Sequence, residues 1–142
     1  MTIASVLRTK GGAVETIASD AKVFDAVRKL GEKRIGALLV TEQGRIAGIM
    51  SERDVIYCLR DRGRDVLEAT VNQVMTAPAI TAESSMTVLA ALALMTERRI
   101  RHLPVVDGAE LKGIVSIGDL VKHRMERIEA EADAMRNYIQ TA

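Results

Sequence analysis

Two stretches of the chain carry apolar residues at the spacing of an amphipathic helix. In both, apolar side chains recur at positions i, i+3, i+4 and i+7, which places them on one helical face. They are Val23, Ala26, Val27 and Leu30 in the first stretch and Val88, Ala91, Leu92 and Met95 in the second. Asp20 and Ser85 precede the two stripes at the same distance, and we predict that their side-chain oxygens cap the helices.

Each predicted helix is followed by two short apolar runs with the length of β-strands. The runs cover residues 37–41 and 46–50 in the first half of the chain and 103–106 and 111–115 in the second. The connecting residues contain glycine and acidic side chains that are typical of hairpin turns. A further helix is predicted to begin at Ser51 and at Ser116, and a short strand to precede the first helix of each half. The pattern therefore predicts an α/β (α+β) fold built from two β-α-β-β-α units.

The two halves of the chain are copies of one another. Residues 16–54 align with residues 81–119 without a gap, and 13 of these 39 positions are identical. A looser echo precedes each copy, since Ile3-x-x-Val6 resembles Val71-x-x-Val74. The sequence thus indicates a tandem duplication.

The duplication predicts how the chain is divided. One repeat of about 65 residues buries little core alone, so we expect the two to pack sheet to sheet about a pseudo-twofold axis. The predicted boundaries are 1–66 for repeat 1, 67–124 for repeat 2 and 125–142 for a C-terminal helical extension, with residues 63–70 as the linker.

The last helix continues past the second repeat with a pattern of its own. Its apolar residues alternate in steps of four and three, which is the heptad spacing of a coiled coil. They are Val121, Met125, Ile128, Ala132, Met135 and Ile139. This seam suits a partner helix better than solvent, and we predict a homodimer.

Composition and charge exclude several classes of partner. The 142 residues carry 20 basic and 19 acidic side chains, a net charge of +1, and only 2% are aromatic, so neither phosphate attraction nor base stacking favours nucleic acid. No apolar run reaches the length of a membrane span. Cys58 is the single cysteine, and with two histidines it forms no metal-ligand spacing. We therefore expect a cytoplasmic protein with no metal, no nucleic-acid partner and no membrane partner.

The strongest chemical signal is an element that occurs once in each copy. The first motif is Gly48-x-x-Ser51-x-x-Asp54 and the second motif is Gly113-x-x-Ser116-x-x-Asp119. Glycine at a strand end lets a ligand approach the backbone, and serine at a helix start offers a hydroxyl beside free N–H groups, which suits a phosphate. Aspartate can accept hydrogen bonds from both ribose hydroxyls. The alternative is a strand followed by a capped helix, but the recurrence of the motif favours a ribose-phosphate site.

The chain resembles a tandem pair of cystathionine-β-synthase (CBS) domains over residues 3–124. Besides the two motifs, the resemblance rests on residues 74–78 (VMTAP) and on residues 101–107 (RHLPVVD). It implies two ligand clefts between the paired sheets, a ligand that contains adenosine, and pairing of two such modules into a flat dimer.

The resemblance also implies roles for individual residues. Adenine would lie near the first strand of a repeat, the ribose would meet the motif aspartate, and the phosphate would meet the motif serine together with basic side chains. In repeat 1 the implied nucleotide-binding residues are Thr16, Ile17, Ile35, Gly36, Ala37, Gly48, Ser51, Arg53 and Asp54. In repeat 2 they are Thr81, Ile100, Arg101, His102, Pro104, Ser116 and Asp119. Because repeat 1 has Gly36 and Ala37 where repeat 2 has Arg101 and His102, we predict that the two clefts are not equivalent.

Together these features predict a non-catalytic regulatory module that binds an adenine nucleotide and acts as an energy or redox sensor on another protein. AMP is the first choice, and ATP, ADP and NAD(H) stay open. The alternative is a structural dimerisation or adaptor protein without a ligand, which the heptad seam favours. A hydrolase using Ser116, His102 and Asp119 lacks the Gly-x-Ser-x-Gly elbow.

Overall fold

The computed structural model describes residues 1–141, which form five α-helices, five strands and two short 3-10 helices. The helices are α1 Ile3–Lys10, α2 Val23–Lys33, α3 Glu52–Arg62, α4 Val88–Arg98 and α5 Ile117–Thr141. The strands are β1 Thr16–Ala18, β2 Ala37–Glu42, β3 Arg45–Ser51, β4 His102–Asp107 and β5 Glu110–Ser116. The 3-10 helices are Gly63–Glu68 and Val71–Gln73. The mixed α/β fold class predicted from the sequence is confirmed, and both hairpins lie where the apolar runs predict them.

The chain divides into two compact units that do not follow the sequence repeats. The first-repeat unit is Ala13–Ile80, and the second-repeat unit is Met1–Gly12 together with the chain from Thr81 onward. The N-terminal helix α1 therefore belongs with the second copy, although it precedes the first copy in sequence. The boundaries 1–66, 67–124 and 125–142 describe sequence similarity rather than packing, and they stay a prediction.

The first-repeat unit is built on a sheet in the order β1-β2-β3. β1 runs parallel to β2, and β2 pairs antiparallel with β3. The predicted stripe of α2 packs on this sheet, since Val23 and Ala26 are fully buried and Leu30 is nearly so. The stripe of α4 is likewise confirmed in the second-repeat unit.

The segment predicted as a linker is part of the first-repeat core. Residues 63–68 form a 3-10 helix, and Val66 is fully buried in the cluster that also contains Val23, Val40 and Val71. The carbonyl oxygen of Ala69 accepts a hydrogen bond from the Val23 amide over 2.9 Å. The interpretation of residues 63–70 as a linker alone is therefore wrong, because Val66 fills core space under α2.

The second-repeat unit contains one hairpin and only a trace of the predicted first strand. β4 pairs antiparallel with β5, whereas Ala82 makes a single parallel bridge to Val105. The strand ends after this bridge because the amide of Ser84, two residues on, donates to the side-chain Oδ1 of Asp107 over 2.9 Å rather than to the backbone of β4. The predicted strand of repeat 2 is thus reduced to one bridge.

The two predicted helix caps are wrong by two residues. α2 begins after Lys22, which provides no side-chain cap, and α4 begins after Thr87, whose Oγ1 accepts from the Ala90 amide over 3.0 Å. Antiparallel bridges from Lys22 to Thr70 and from Thr87 to Thr2 keep the chain extended up to these positions. Asp20 and Ser85 therefore lie before the helices rather than at their N-caps.

α5 is a continuous helix of 25 residues whose C-terminal half extends beyond the second repeat. The large side chains of the predicted heptad seam are exposed, from 42% at Val121 to 66% at Ile139. No helix within residues 1–141 combines the length and the apolar content that a bilayer crossing requires.

Candidate functional site

The first motif lies where β3 ends and α3 begins. Ser51 is the N-cap of α3: its Oγ accepts from the Asp54 amide over 3.2 Å, and the Ser51 amide donates to Asp54 Oδ2 over 2.9 Å. The hydroxyl of Thr76 donates to the other carboxylate oxygen, Oδ1, over 2.9 Å. The serine and aspartate that the sequence singles out are therefore joined in one capping box.

The second motif has the same geometry at the junction of β5 and α5. The Ser116 amide donates to Asp119 Oδ2 over 2.8 Å, and the Asp119 amide donates to Ser116 Oγ over 3.1 Å. The third partner differs, because the ammonium of Lys10 donates to Asp119 Oδ2 over 2.6 Å. The two motifs are thus alike in their backbone and distinct in what approaches the carboxylate.

The residues that flank each motif are placed equivalently. In the first-repeat unit the carbonyl of Gly36 accepts from the Glu52 amide over 3.0 Å, and Ala37 pairs with Ser51 across the hairpin. In the second-repeat unit the carbonyl of Arg101 likewise accepts from the Ile117 amide over 2.9 Å, and His102 pairs with Ser116 across the hairpin. Arg53 lies in the first turn of α3, next to Asp54. These predicted site residues are therefore brought to the motifs.

Other predicted residues lie on elements next to the motifs. Thr16 and Ile17 are on β1, which is separated from β3 by the whole of β2. Ile35 and Ile100 close the C-terminal turns of α2 and α4 through their amides, and Pro104 lies within β4, where its carbonyl accepts from the Ala82 amide.

Thr81 belongs to a different surface feature from the second motif. It lines a groove with Ala82, Met86, Ala90 and Val106, beside the start of α4. The lining contains neither Ser116 nor Asp119. The contact of adenine with Thr81 that the resemblance implies therefore stays a prediction.

Close packing, which was not predicted from the sequence, explains why glycine stands at the first position of both motifs. A Cβ atom on Gly48 would lie 2.6 Å from the carbonyl oxygen of Thr76 and 2.9 Å from the sulfur of Met75. A Cβ atom on Gly113 would lie 2.9 Å from Cδ2 of Leu7. In each unit a segment distant along the chain packs directly on the glycine, so protein rather than ligand occupies the space that the missing side chain leaves.

This difference in neighbours predicts unequal costs for the two alanine substitutions. Gly48→Ala would press on backbone, which is held to β3 by paired hydrogen bonds between Thr76 and Ile49, and we expect a loss of about 1–3 kcal/mol in the free energy of unfolding. Gly113→Ala meets the end of a leucine side chain, which can rotate, and should lose less. Urea unfolding of both variants measures the difference, and equal losses would contradict this explanation.

Lys10 and Thr76 are the site residues that sequence analysis did not identify. Both follow the echo segments that precede the repeats, so the echo was the available signal. Burial raises the pKa of Asp119, but the hydrogen bond and charge of Lys10 and the hydrogen bonds from Ser116 outweigh it and hold the pKa below its ordinary value. The carboxylate of the second motif therefore stays ionised well into acidic solution.

The lowered pKa of Asp119 predicts how the ion pair contributes to stability at different pH. Because the pKa is lower in the folded state, the contribution is present above the ordinary pKa of 3.8 and is lost as the pH falls through the lower folded value. Both side chains are about one third exposed, so we expect Lys10→Met to cost about 0.2–1 kcal/mol at pH 7. Unfolding free energies of both proteins should converge once the pH has fallen below the lowered folded pKa of Asp119; a gap that persists after this carboxylate is protonated would contradict the assignment.

The arrangement offers hydrogen bonds and charge to a ligand. Each motif presents a serine hydroxyl, a carboxylate and the first amides of a helix, which are groups that bind ribose and phosphate. Within the described residues no group of three or more His, Cys, Asp and Glu side chains is placed to hold a metal ion.

Comparisons with known proteins identify the family of this chain. The family model of the CBS domain matches the chain twice, over residues 6–61 and 71–126. The mitochondrial CBS domain-containing protein CBSX3 of Arabidopsis thaliana is 35% identical over 98% of this chain and 72% of its own length. A proposed signal-transduction protein with CBS domains from Burkholderia ambifaria MC40-6 has 40% identity and a TM-score of 0.84, covering 89% of this chain and 95% of that one.

A more distant structure shows the same fold. The CBS domain pair of protein MJ0100, solved with 5′-methylthioadenosine and S-adenosyl-L-methionine, has a TM-score of 0.78 at 22% identity and covers 89% of this chain and 98% of that one. The two family-model matches coincide with the two copies of the Ser–Asp motif, and together they span most of the chain. This chain therefore belongs to the CBS-domain family and carries a pair of CBS domains.

Proposed function

We propose that this protein is a non-catalytic regulatory module that binds an adenine nucleotide, with AMP as the first choice and ATP, ADP and NAD(H) as further candidates. The observation that carries the proposal is the Ser–Asp pair at the junction of strand and helix in both units. Binding would change how the module acts on a regulated protein, so that it works as an energy or redox sensor. The single, half-buried Cys58 suits a reducing compartment such as the cytoplasm.

The motif chemistry supports a ribose-phosphate ligand. Each carboxylate oxygen has two lone pairs, so Asp54 retains capacity for ribose hydroxyls beside its bonds to Ser51 and Thr76. The start of α3 or α5 favours a phosphate through its amides and dipole. The adenosine ligands of the MJ0100 pair belong to that protein, and they add two compounds worth testing here.

The residues beside the motifs support two unequal sites. Arg53 accompanies the first motif, whereas Arg101 and His102 flank the second. A charge-assisted hydrogen bond from such a residue to a phosphate contributes about 1.5–3 kcal/mol, which exceeds a tenfold change in affinity. We therefore propose that the sites differ in affinity or in ligand preference.

An adaptor function is the second candidate, and the exposed seam of α5 favours it. Met125, Ile128 and Met135 are each about half exposed or more, although they are apolar and regularly spaced. We propose that the seam pairs with α5 of a second copy and makes the protein a homodimer. An adaptor would use this surface without needing a nucleotide.

Calorimetric titration decides between the two functions. Purified protein is titrated with AMP, ADP, ATP, NAD, 5′-methylthioadenosine and S-adenosyl-L-methionine, and at least one should bind with micromolar to submillimolar affinity. Mass spectrometry of ligands that survive purification identifies a tightly held compound. If no compound binds at millimolar concentration and none is retained, the adaptor function is favoured and the sensor is excluded.

A further inference from the structure

The N-terminal helix α1 places Lys10 at the second motif from a distance of 109 residues along the chain. α1 is anchored by the buried side chains of Ile3 and Val6. Its first amides are tied to the segment before α4: the Ile3 amide donates to Met86 and the Ala4 amide to Ser84, both over 2.9 Å. The helix is therefore a fixed support for the side chain at its C-terminal end.

The residues after Lys10 hold the end of α1 against the motif strand. Gly11 ends the helix with φ 95°, a left-handed value that favours glycine, and its amide donates to Leu7 over 2.7 Å. Gly12 packs so closely on β5 that a Cβ atom would lie 2.8 Å from the carbonyl oxygen of Lys112. The position of Lys10 is thus fixed by α1 before it and by Gly11 and Gly12 after it.

The ammonium of Lys10 binds two groups of the second motif. It donates to the carbonyl oxygen of Ile114 over 2.7 Å and to Asp119 Oδ2 over 2.6 Å. An ammonium has three N–H groups, so one more is available for a ligand oxygen. The side chain is 33% exposed, so a ligand at the motif can reach it.

The aspartate of the first motif has a different third partner. Asp54 Oδ1 accepts a hydrogen bond from the neutral hydroxyl of Thr76 over 2.9 Å. A nucleotide whose ribose bonds to the motif aspartate would therefore meet a positive charge at Asp119 and a hydroxyl at Asp54. A phosphate gains more from the former, because charge-assisted hydrogen bonds are roughly twice as strong as neutral ones.

We propose that Lys10 is a specificity-determining residue of the second motif, selecting phosphorylated nucleotides over the free nucleoside. This inference rests on the proposed function, since it assumes that the second motif binds an adenine nucleotide. In the free protein Lys10 compensates the charge of Asp119. When a nucleotide is bound, the ribose hydroxyls share the carboxylate and the ammonium donates to the phosphate.

The test compares AMP with adenosine at the second motif alone. Asp54→Ala is introduced to silence the first motif, and both ligands are titrated into this parent protein and into its Lys10→Met derivative. We expect Lys10→Met to weaken AMP about tenfold or more and adenosine less than about twofold. Lys10→Arg, which keeps the charge, should restore part of the AMP affinity.

Two controls separate ligand selection from a structural effect. Lys22→Met removes an exposed lysine of the first-repeat unit, where it pairs with Glu68. This variant should leave the affinities for AMP and adenosine unchanged. Circular dichroism and urea unfolding of each variant report whether the fold is retained.

The other outcomes overturn the inference in distinguishable ways. Equal weakening of AMP and adenosine would show that Lys10 only positions Asp119. Tighter adenosine with unchanged AMP would show that Lys10 merely competes for the carboxylate, and unchanged affinities would show that it has no part in binding. A parent protein and a wild type that bind neither ligand would refute the proposed function itself, and the inference with it.

Discussion

Asp54→Ala and Asp119→Ala are each expected to abolish one nucleotide-binding event and to leave the other in place. Ribose hydroxyls donate to the motif carboxylate, and each charge-assisted hydrogen bond contributes about 1.5–3 kcal/mol. Loss of two such bonds should weaken the affected site by about a hundredfold or more. Calorimetry should show the number of bound nucleotides falling from two to one in each variant and to none in the double variant.

The matched controls for this experiment lie on the same helices. Asp61 on α3 and Asp133 on α5 are exposed and pair with Arg60 and Arg136, away from the motifs. Their alanine variants should bind as the wild type does. Because alanine also removes the capping box, Asp54→Asn and Asp119→Asn test binding in proteins whose helix caps are retained. Full binding by both alanine variants would exclude the motif aspartates as ribose ligands.

Truncation after Arg124 is expected to convert a dimer into a monomer. It removes Met125, Ile128, Met135 and Ile139, which are 48% to 66% exposed in one copy of the chain. Burying one such side chain contributes about 1.5–3 kcal/mol, so losing four from each helix should raise the dissociation constant by several orders of magnitude. Sedimentation at tens of micromolar should show the full chain as a dimer and the truncated chain as a monomer.

Substitutions within the full chain test whether dimerisation depends on the apolar seam or only on the length of α5. Ile128→Glu with Ile139→Glu should dissociate the dimer, because charges would face each other across the seam. Arg127→Ser with Asp133→Ser, two exposed positions outside the seam, should not. A full-length monomer, or a truncated chain that still dimerises, would contradict the role of the seam.

The secondary structure was largely predictable because its signals are local. The stripes that include Val23 and Val88 have the period of a helix, and glycines such as Gly44 mark the hairpin turns, so short windows of sequence suffice. The helix caps were predicted wrongly for the opposite reason. Lys22 and Thr87 are held extended by bridges to Thr70 and Thr2, and such contacts leave no trace in the residues around a cap.

The candidate site was predictable in part. The duplicated motif identified Ser51, Asp54 and their counterparts, and the structure joins each serine to its aspartate. Sequence reasoning gave the glycines a role in ligand approach, whereas the structure places Thr76 against Gly48. The identity of a neighbour across space cannot be deduced from spacing along the chain.

By itself the sequence determined that the protein is duplicated, that each copy contains a helix followed by a hairpin and a second helix, and that one motif recurs in both. Only the tertiary structure decided that α1 belongs with the second copy and that Lys10 meets Asp119. The physical reason is that periodicity fixes which face of an element is buried, while its partner depends on the path of the chain between elements. Lys10 and Asp119 lie 109 residues apart, so only folding could bring them together.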